Sequence, residues 1–227
     1  MRTSRTVTCA SRAGSGSSTC SGGRRTAPEV APVSAIAGIV LAGGGSIRFG
    51  SDKLLAPYHG SSLLHRAIER VGEVSDDVIV VMSPAAADPA MPPRAKVVRD
   101  ASEGEGPLAG LHAGLLAAVR SDLAVVVGGD MPDLQPPVLR AMVLALHDGP
   151  GDAAALATTD GPSPLPIVLR TWPAADAVHT LLHAGRRRLG DVLDVLDTVV
   201  IDEKTWTAMD PGRRSLFDVD EPGDLER

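Results

Sequence analysis

Aromatic residues are scarce in this chain, with two Trp, one Tyr and two Phe among 227 residues. That scarcity removes the stacking platforms on which single-stranded nucleic acid is bound. The formal net charge of −6 removes the electrostatic half of the same design, because an acidic chain cannot neutralise a run of phosphates. A nucleic-acid partner is therefore not expected, whereas a local basic site for one anionic small molecule remains allowed. Cysteine is nearly absent: Cys9 and Cys20 both lie close to the N-terminus, so the rest of the chain has no thiol ligand and no disulfide, as in a reduced cytoplasmic protein. Long apolar runs are missing too. The longest candidates, around Ile36–Leu41 and Leu123–Val127, are strand-length and fall far short of the ~20 residues that cross a bilayer. No membrane segment is expected.

The opening "MRTSRTVTCASRAGSGSSTCSGGRRTAPEVAPVSA" is rich in Ser, Gly, Thr and Arg and has almost no large apolar side chain to bury. Residues 1–34 therefore read as a disordered, low-complexity tail. It carries positive charge without the apolar core of a secretory signal, and a start codon assigned too early would produce the same stretch. The remaining residues, 35–227, are expected to form one domain, and the apolar content of 44% suffices for a sizeable core.

From Ile36 onward, strand-like apolar runs alternate with helix-like segments, which predicts an α/β fold with a mostly parallel sheet and helices on both faces. Strands are expected at Ala35–Leu41, Asp77–Met82, Lys96–Asp100, Leu123–Asp130 with its stop at Gly128-Gly129, near Ala153–Ala157, near Pro166–Leu169 and at Thr198–Ile201. The spacing of Leu63, Leu64, Ala67, Ile68 and Val71 predicts a helix over Ser61–Val71, capped by Ser61 or Ser62. Further helices are expected from Pro107 to about Arg120, from near Pro136, and across Ala174–Ala184 and Leu189–Leu196. "LAVVVGGD" is an unbroken β-branched run of the kind buried on both faces, and it delivers Asp130 to the carboxyl end of the sheet. Ligands of such sheets bind beyond the carboxyl ends of the strands, where the loop after Gly43, the loop after Asp100 and Asp130 all fall.

The stretch "IVLAGGGSIRFGSDK", Ile39 to Lys53, has the look of a phosphate loop. A P-loop places Lys directly after the second glycine, but here Ser51 follows Gly50. A dinucleotide fingerprint ends in a third glycine, but Arg48 stands there. What remains is a loop whose bare backbone N–H groups can approach an anion, with Arg48 and Lys53 to neutralise it, which suits a triphosphate. A solvated, turn-rich connection is the plainer reading of the glycines alone.

"LAGGGSIRFGSDK" resembles the Leu-Ala-Gly-Gly-x-x-x-Arg-Met-Gly-x-Asp-Lys signature of nucleotidyltransferases with a Rossmann-like fold, and of the molybdenum cofactor guanylyltransferase family in particular, with Phe49 in place of Met. "GPLAGL" at Gly106–Leu111, "GGDMP" at Gly128–Pro132 and "FDVDEPGDLE" at Phe217–Glu226 follow in the family's order. In the last of these, Asp218 and Asp220 stand where the family tends to have asparagines, a feature shared with cytidylyl relatives. The resemblance implies a three-layer fold and a nucleotide site formed by Leu41, Ala42, Gly43, Gly44, Lys53, Asp100, Gly106 and Asp130. It also implies that Asp130 holds Mg²⁺. On chemical grounds Asp130 suits the metal independently, as a hard-oxygen ligand held at the end of a buried strand. Capping of the following helix is the alternative, and Asp133 fits that role better. Asp218 or Asp220 could supply a second metal contact or cap the turn before Pro222. Glu103 and Glu105 read as solvated loop charges.

"GRRRLGDVL" groups Arg186, Arg187 and Arg188 where an anionic acceptor could sit, although a charge run is more often a solvated face. His179 and His183 have the spacing of a metal pair, but without a third ligand they read as ordinary histidines. The chemistry implied is attack of an acceptor phosphate on the α-phosphorus of a triphosphate, with Arg48, Lys53 and Asp130 as catalytic groups and no general base. The resemblance implies GTP and molybdenum-bound molybdopterin as substrates, and transient contact with molybdoenzymes or other cofactor-biosynthesis proteins. Cytidylyl transfer, transfer to another small-molecule phosphate, and a non-catalytic nucleotide-binding module are the competing expectations.

Overall fold

The computed structural model describes residues 35–43, 53–84, 86, 89–100 and 106–226. The expected tail, Gly44, Arg48, Glu103 and Glu105 lie outside these residues. Strand β1, Ile36–Ala42, is flanked on one side by β4, Asp77–Met82, and on the other by β6, Leu123–Gly128, all running in parallel. Beyond β4 lies β5, Ala95–Arg99, also parallel. The other wing comprises β8, Gly161–Arg170, then β7, Ala153–Thr158, then β9, Thr198–Ile201. Of these strands, β8 alone runs against its neighbours, β6 and β7, so the sheet is mostly parallel as expected. A two-stranded ribbon, β2 (Pro57–Tyr58) and β3 (Ser61–Ser62), precedes the first helix.

Helix α1, Leu63–Gly72, buries Leu64, Ala67, Ile68 and Val71 on one face of the sheet. It starts where the Ser62 hydroxyl accepts the His65 N–H, which satisfies one of the donors a helix end leaves free. On that same face lie α3, Pro136–Asp148, and α5, Glu203–Met209. The opposite face is covered by α2, Pro107–Ala117, and α4, Thr171–His183. Helices on both faces leave the central strands with no wet side, and every residue of β6 is buried. This is the three-layer α/β architecture expected from the alternation.

Three local expectations need correction. The stretch 189–196 is not a helix: only Leu189–Val192 forms a 3-10 turn. Buried Asp191 folds back to accept the Arg188 N–H and the Arg186 guanidinium, which favours a tight turn over a helical ladder. The last short helix, α5, was not expected, because its core contribution is the single buried residue Trp206, whose indole N–H donates to the Ala157 carbonyl. The strand near Pro166–Leu169 is also longer than expected. It forms a hairpin with β7 that turns at Gly161, where φ is +115°, a conformation open to glycine at little cost.

Candidate active site

Because β4 and β5 lie on one side of β1 and β6 on the other, the strand order reverses at β1. A crevice opens at the carboxyl ends of the strands at such a point. Leu41 and Ala42 end β1 there, Gly43 follows it, and Asp100 follows β5. The Asp100 N–H donates to the Met82 carbonyl at 3.0 Å, which ties the end of β5 to the end of β4. A Cβ on Gly110 would lie 3.9 Å from both the Asp100 carboxylate and the Leu41 side chain. The first turns of α2 therefore bring Leu41 and Asp100 together. Gly106, at φ +82°, starts α2 with a conformation that suits glycine, under the backbone of Arg187.

Asp130 is placed by the Gly128-Gly129 pair. The Gly129 N–H donates to the Leu41 carbonyl at 2.9 Å, and a Cβ on Gly128 would come within 2.5 Å of an Asp130 carboxylate oxygen. A side chain at Gly128 would therefore displace that carboxylate from its present position. Lys53, which begins a 3-10 turn at Lys53–Leu55, donates through Nζ to Asp130 at 3.1 Å and to Asp220 at 3.3 Å. The Val219 N–H donates to the Asp130 carbonyl at 3.0 Å and binds the C-terminal segment to the same end of the sheet. Burial pushes the Asp218 carboxyl above its ordinary range, and the charges of Asp220 and Asp130 push it further while Lys53 partly offsets them. Capping before Pro222 falls to Asp224, whose carboxylate accepts the N–H groups of Asp220 and Glu221. Three acidic groups and one ammonium, far apart in the chain, thus share one locus.

The three arginines differ in their surroundings. Arg186 pairs with Asp191 and Asp194, and its guanidinium holds the Asp191 carboxyl below the usual range. Arg187 donates to the carbonyls of Leu182 and Arg186. Its own carbonyl accepts the Leu108 N–H, so the 186–188 loop lies against the start of α2. His179 lies between His183, at 4.2 Å, and His112, at 5.6 Å, with the rings tilted to one another. Burial lowers the His112 pKa, and the neighbouring histidines lower it further. Among the described residues no three His, Cys, Asp or Glu side chains are grouped so as to hold a metal ion by themselves.

Asp133 does not cap α3. Gln135 occupies the cap position and makes no side-chain capping bond. Asp133 is instead 6% exposed and accepts the Tyr58 hydroxyl at 2.8 Å, the Arg66 guanidinium at 3.3 Å and the Arg214 guanidinium. Burial alone would raise its pKa, but those hydrogen bonds and the charges of Arg214 and Arg66 outweigh it and hold the carboxyl below its ordinary value. Burial and the bond to Asp133 together push the Tyr58 phenol up. The sequence displays Asp133 but not its partners, which come from two distant segments.

Comparison with known proteins bears on the family of the chain as a whole. Residues 38–199 match the MobA-like NTP transferase domain. A protein named "Probable molybdenum cofactor guanylyltransferase" from Chloroflexus aggregans is 34% identical over 196 residues, covering 84% of this chain and 92% of that protein. A protein of the same name from Mycobacterium tuberculosis H37Rv is 35% identical over 179 residues, covering 77% and 86%. Among solved structures, the molybdopterin-guanine dinucleotide biosynthesis protein A of Archaeoglobus fulgidus superposes with a TM-score of 0.69 at 25% identity, covering 84% of this chain and 95% of that one. With more than half its length matched, and with the glycine-supported carboxylate and lysine at the strand ends, the chain belongs to the MobA-like NTP transferase domain family.

Proposed function

We propose that this protein transfers a guanylyl group from GTP to molybdenum-bound molybdopterin, releasing pyrophosphate and forming molybdopterin guanine dinucleotide in the cytoplasm. The observation that carries the reading is the meeting of Lys53, Asp130 and Asp220 at the reversal point of the sheet. Relatives named as guanylyltransferases over most of this chain favour guanine and the pterin acceptor.

The acceptor is a phosphate monoester, whose second pKa near ~6 leaves it mostly dianionic at neutral pH. One of its oxygens attacks the α-phosphorus, the bond from that phosphorus to the bridging oxygen breaks, and pyrophosphate leaves with the electron pair. No proton need be removed from the nucleophile. Catalysis then rests on positioning and on charge stabilisation of the phosphoryl oxygens. Lys53 supplies that charge by exchanging its carboxylate partners for phosphate, and Arg48 joins it from the glycine loop. Leu41, Ala42, Gly43 and Gly44 offer backbone to the nucleotide, Asp100 and Gly106 border it on the α2 side, and Arg186, Arg187 and Arg188 flank the acceptor.

The residues suit Mg²⁺. Among the described residues the donors gathered here are carboxylate oxygens, and the Lys53 ammonium already touches both Asp130 and Asp220. Mg²⁺ typically takes one or two carboxylates and completes its shell with water and substrate phosphate. Asp130 would hold it, with Asp220 or Asp218 as the second contact, and the ion when bound neutralises charge on the phosphate oxygens.

Asp218 and Asp220, in place of asparagines, favour cytidylyl transfer as a second reading. Pyrophosphate release in Mg²⁺ with molybdopterin and each of GTP, CTP and ATP separates the two. The expected result is release with GTP at least ten-fold faster than with CTP. Faster release with CTP selects the second reading, and tight triphosphate binding without release selects a non-catalytic module.

A further inference from the structure

We propose that Asp133 is the positioning residue of the site, and that a hydrogen-bond network centred on its buried carboxylate sets the spacing between Lys53, Asp130 and Asp220. This rests on the nucleotidyltransferase reading above. The three site groups come from three segments with no covalent reason to meet. Each segment also contributes to the network: Tyr58, close after Lys53, and Arg66 further on in α1, Asp133 itself from the loop carrying Asp130, and Arg214 from the segment leading to Asp220.

The contacts are those of a fixed joint. One Asp133 oxygen accepts both the Tyr58 hydroxyl and the Arg214 guanidinium, and the other accepts Arg66. Arg66 lies 5.5 Å from the centre of the Tyr58 ring, so the two donors also support one another. The Tyr58 ring is buried with Leu63 and Val219, and Val219 is the residue whose N–H bonds the Asp130 carbonyl. On the far side, the Gln135 amide donates to the Asp133 carbonyl, the Gln135 N–H to the Ser215 hydroxyl, and the Ser215 N–H to Asp210. A carboxylate that satisfies three donors from two remote segments allows little relative movement of any of them, because each shift strands a buried polar group. Nucleotidyl transfer by positioning demands that rigidity, since a misplacement of about 1 Å can cost about 100-fold in rate.

The test uses the full chain with Tyr58→Phe, which removes one donor and keeps the ring, and Asp133→Asn, which removes the charge. Leu146→Ala, a cavity made in a buried residue near the far end of α3, serves as a control for stability loss alone. Two quantities are read below the melting transition of every variant: exchange protection of the Val219 amide, and kcat and KM with whichever triphosphate the parent turns over. The network predicts kcat lowered about 10- to 100-fold in both site variants, triphosphate KM within about two-fold, and Val219 protection lost selectively. Leu146→Ala should keep both kcat and the selective protection at comparable melting temperature. Unchanged Val219 protection overturns the proposal, as does a kcat loss no larger than in the control. If the parent turns over no triphosphate, the activity reading fails, while the Val219 measurement still decides whether Asp133 holds the segments together.

Discussion

The side chain of Lys53 is 12% exposed and holds its ammonium between Asp130 and Asp220. A lysine so enclosed by carboxylates is well placed to pass to a triphosphate, because the charge it needs to neutralise arrives on the substrate. Lys53→Ala and Asp130→Ala should each lower kcat by about 100- to 1,000-fold, the range for losing one preorganised charge-stabilising group. Far-UV circular dichroism and chromatographic behaviour should be unchanged. Near-parental turnover in either variant would remove that residue from the catalytic set. Asp133 gives a second residue-scale expectation. Its folded-state pKa lies below the ordinary aspartate value of about 3.9. The stabilisation it contributes is therefore complete above that ordinary value and is lost as pH falls through the folded value. The difference in thermal stability between the parent and Asp133→Asn should be constant from about pH 7 to pH 5 and shrink below about pH 4. The groups facing the carboxyl are Tyr58, Arg66 and Arg214, and both arginines keep their charge across that range. Parallel stability curves down to pH 3 would contradict the assignment.

Elements place these residues through contacts that leave no room for side chains at two glycines. Helix α2 lies on β1 and β4 through Gly114, where a Cβ would come 2.6 Å from Ile39 and 3.1 Å from Val81. Alanine is favoured over glycine in a helix by about 1 kcal/mol, but overpacking a core costs about 1–3 kcal/mol, so steric cost should win. Gly114→Ala should lower the melting temperature while leaving kcat of the folded fraction close to the parent. Gly128→Ala presses instead on the Asp130 carboxylate, and should cost kcat far more than stability. Paired melting and turnover measurements distinguish them, and an equal pattern in both would contradict the placement of Asp130 by the glycine pair. At this scale the sequence was informative where periodicity was strong. The apolar spacing of α1, the β-branched run of β6 and the proline at the start of α2 each predicted their element. Short elements whose stability comes from one tertiary contact were not legible: α5 depends on Trp206 reaching Ala157, and the turn at 189–192 depends on Asp191 meeting Arg186.

Across the sheet, the strand order places the carboxyl ends of β1, β5 and β6 along one edge, and the mostly parallel sheet behind that placement followed from the alternating pattern. The C-terminal segment is different. Asp220 meets Lys53 beside two further contacts of its segment, Val219 with Asp130 and Arg214 with Asp133, and neither contact has a periodicity to reveal it. Asp133 showed as an acidic residue before a helix, where capping is the ordinary role, and only the fold discloses its three donors. The acidic character of the chain also acquires a local meaning. Carboxylates gathered around one lysine suit a cation and a polyphosphate together rather than an extended polyanion.

The most direct test follows the label from the α-phosphate of GTP, CTP or ATP incubated with molybdenum-bound molybdopterin, Mg²⁺ and the protein. Guanylyl transfer predicts label from GTP in a dinucleotide product, with one pyrophosphate released per product and at most trace incorporation from CTP or ATP. Label incorporated preferentially from CTP, or no incorporation from any triphosphate, would contradict it.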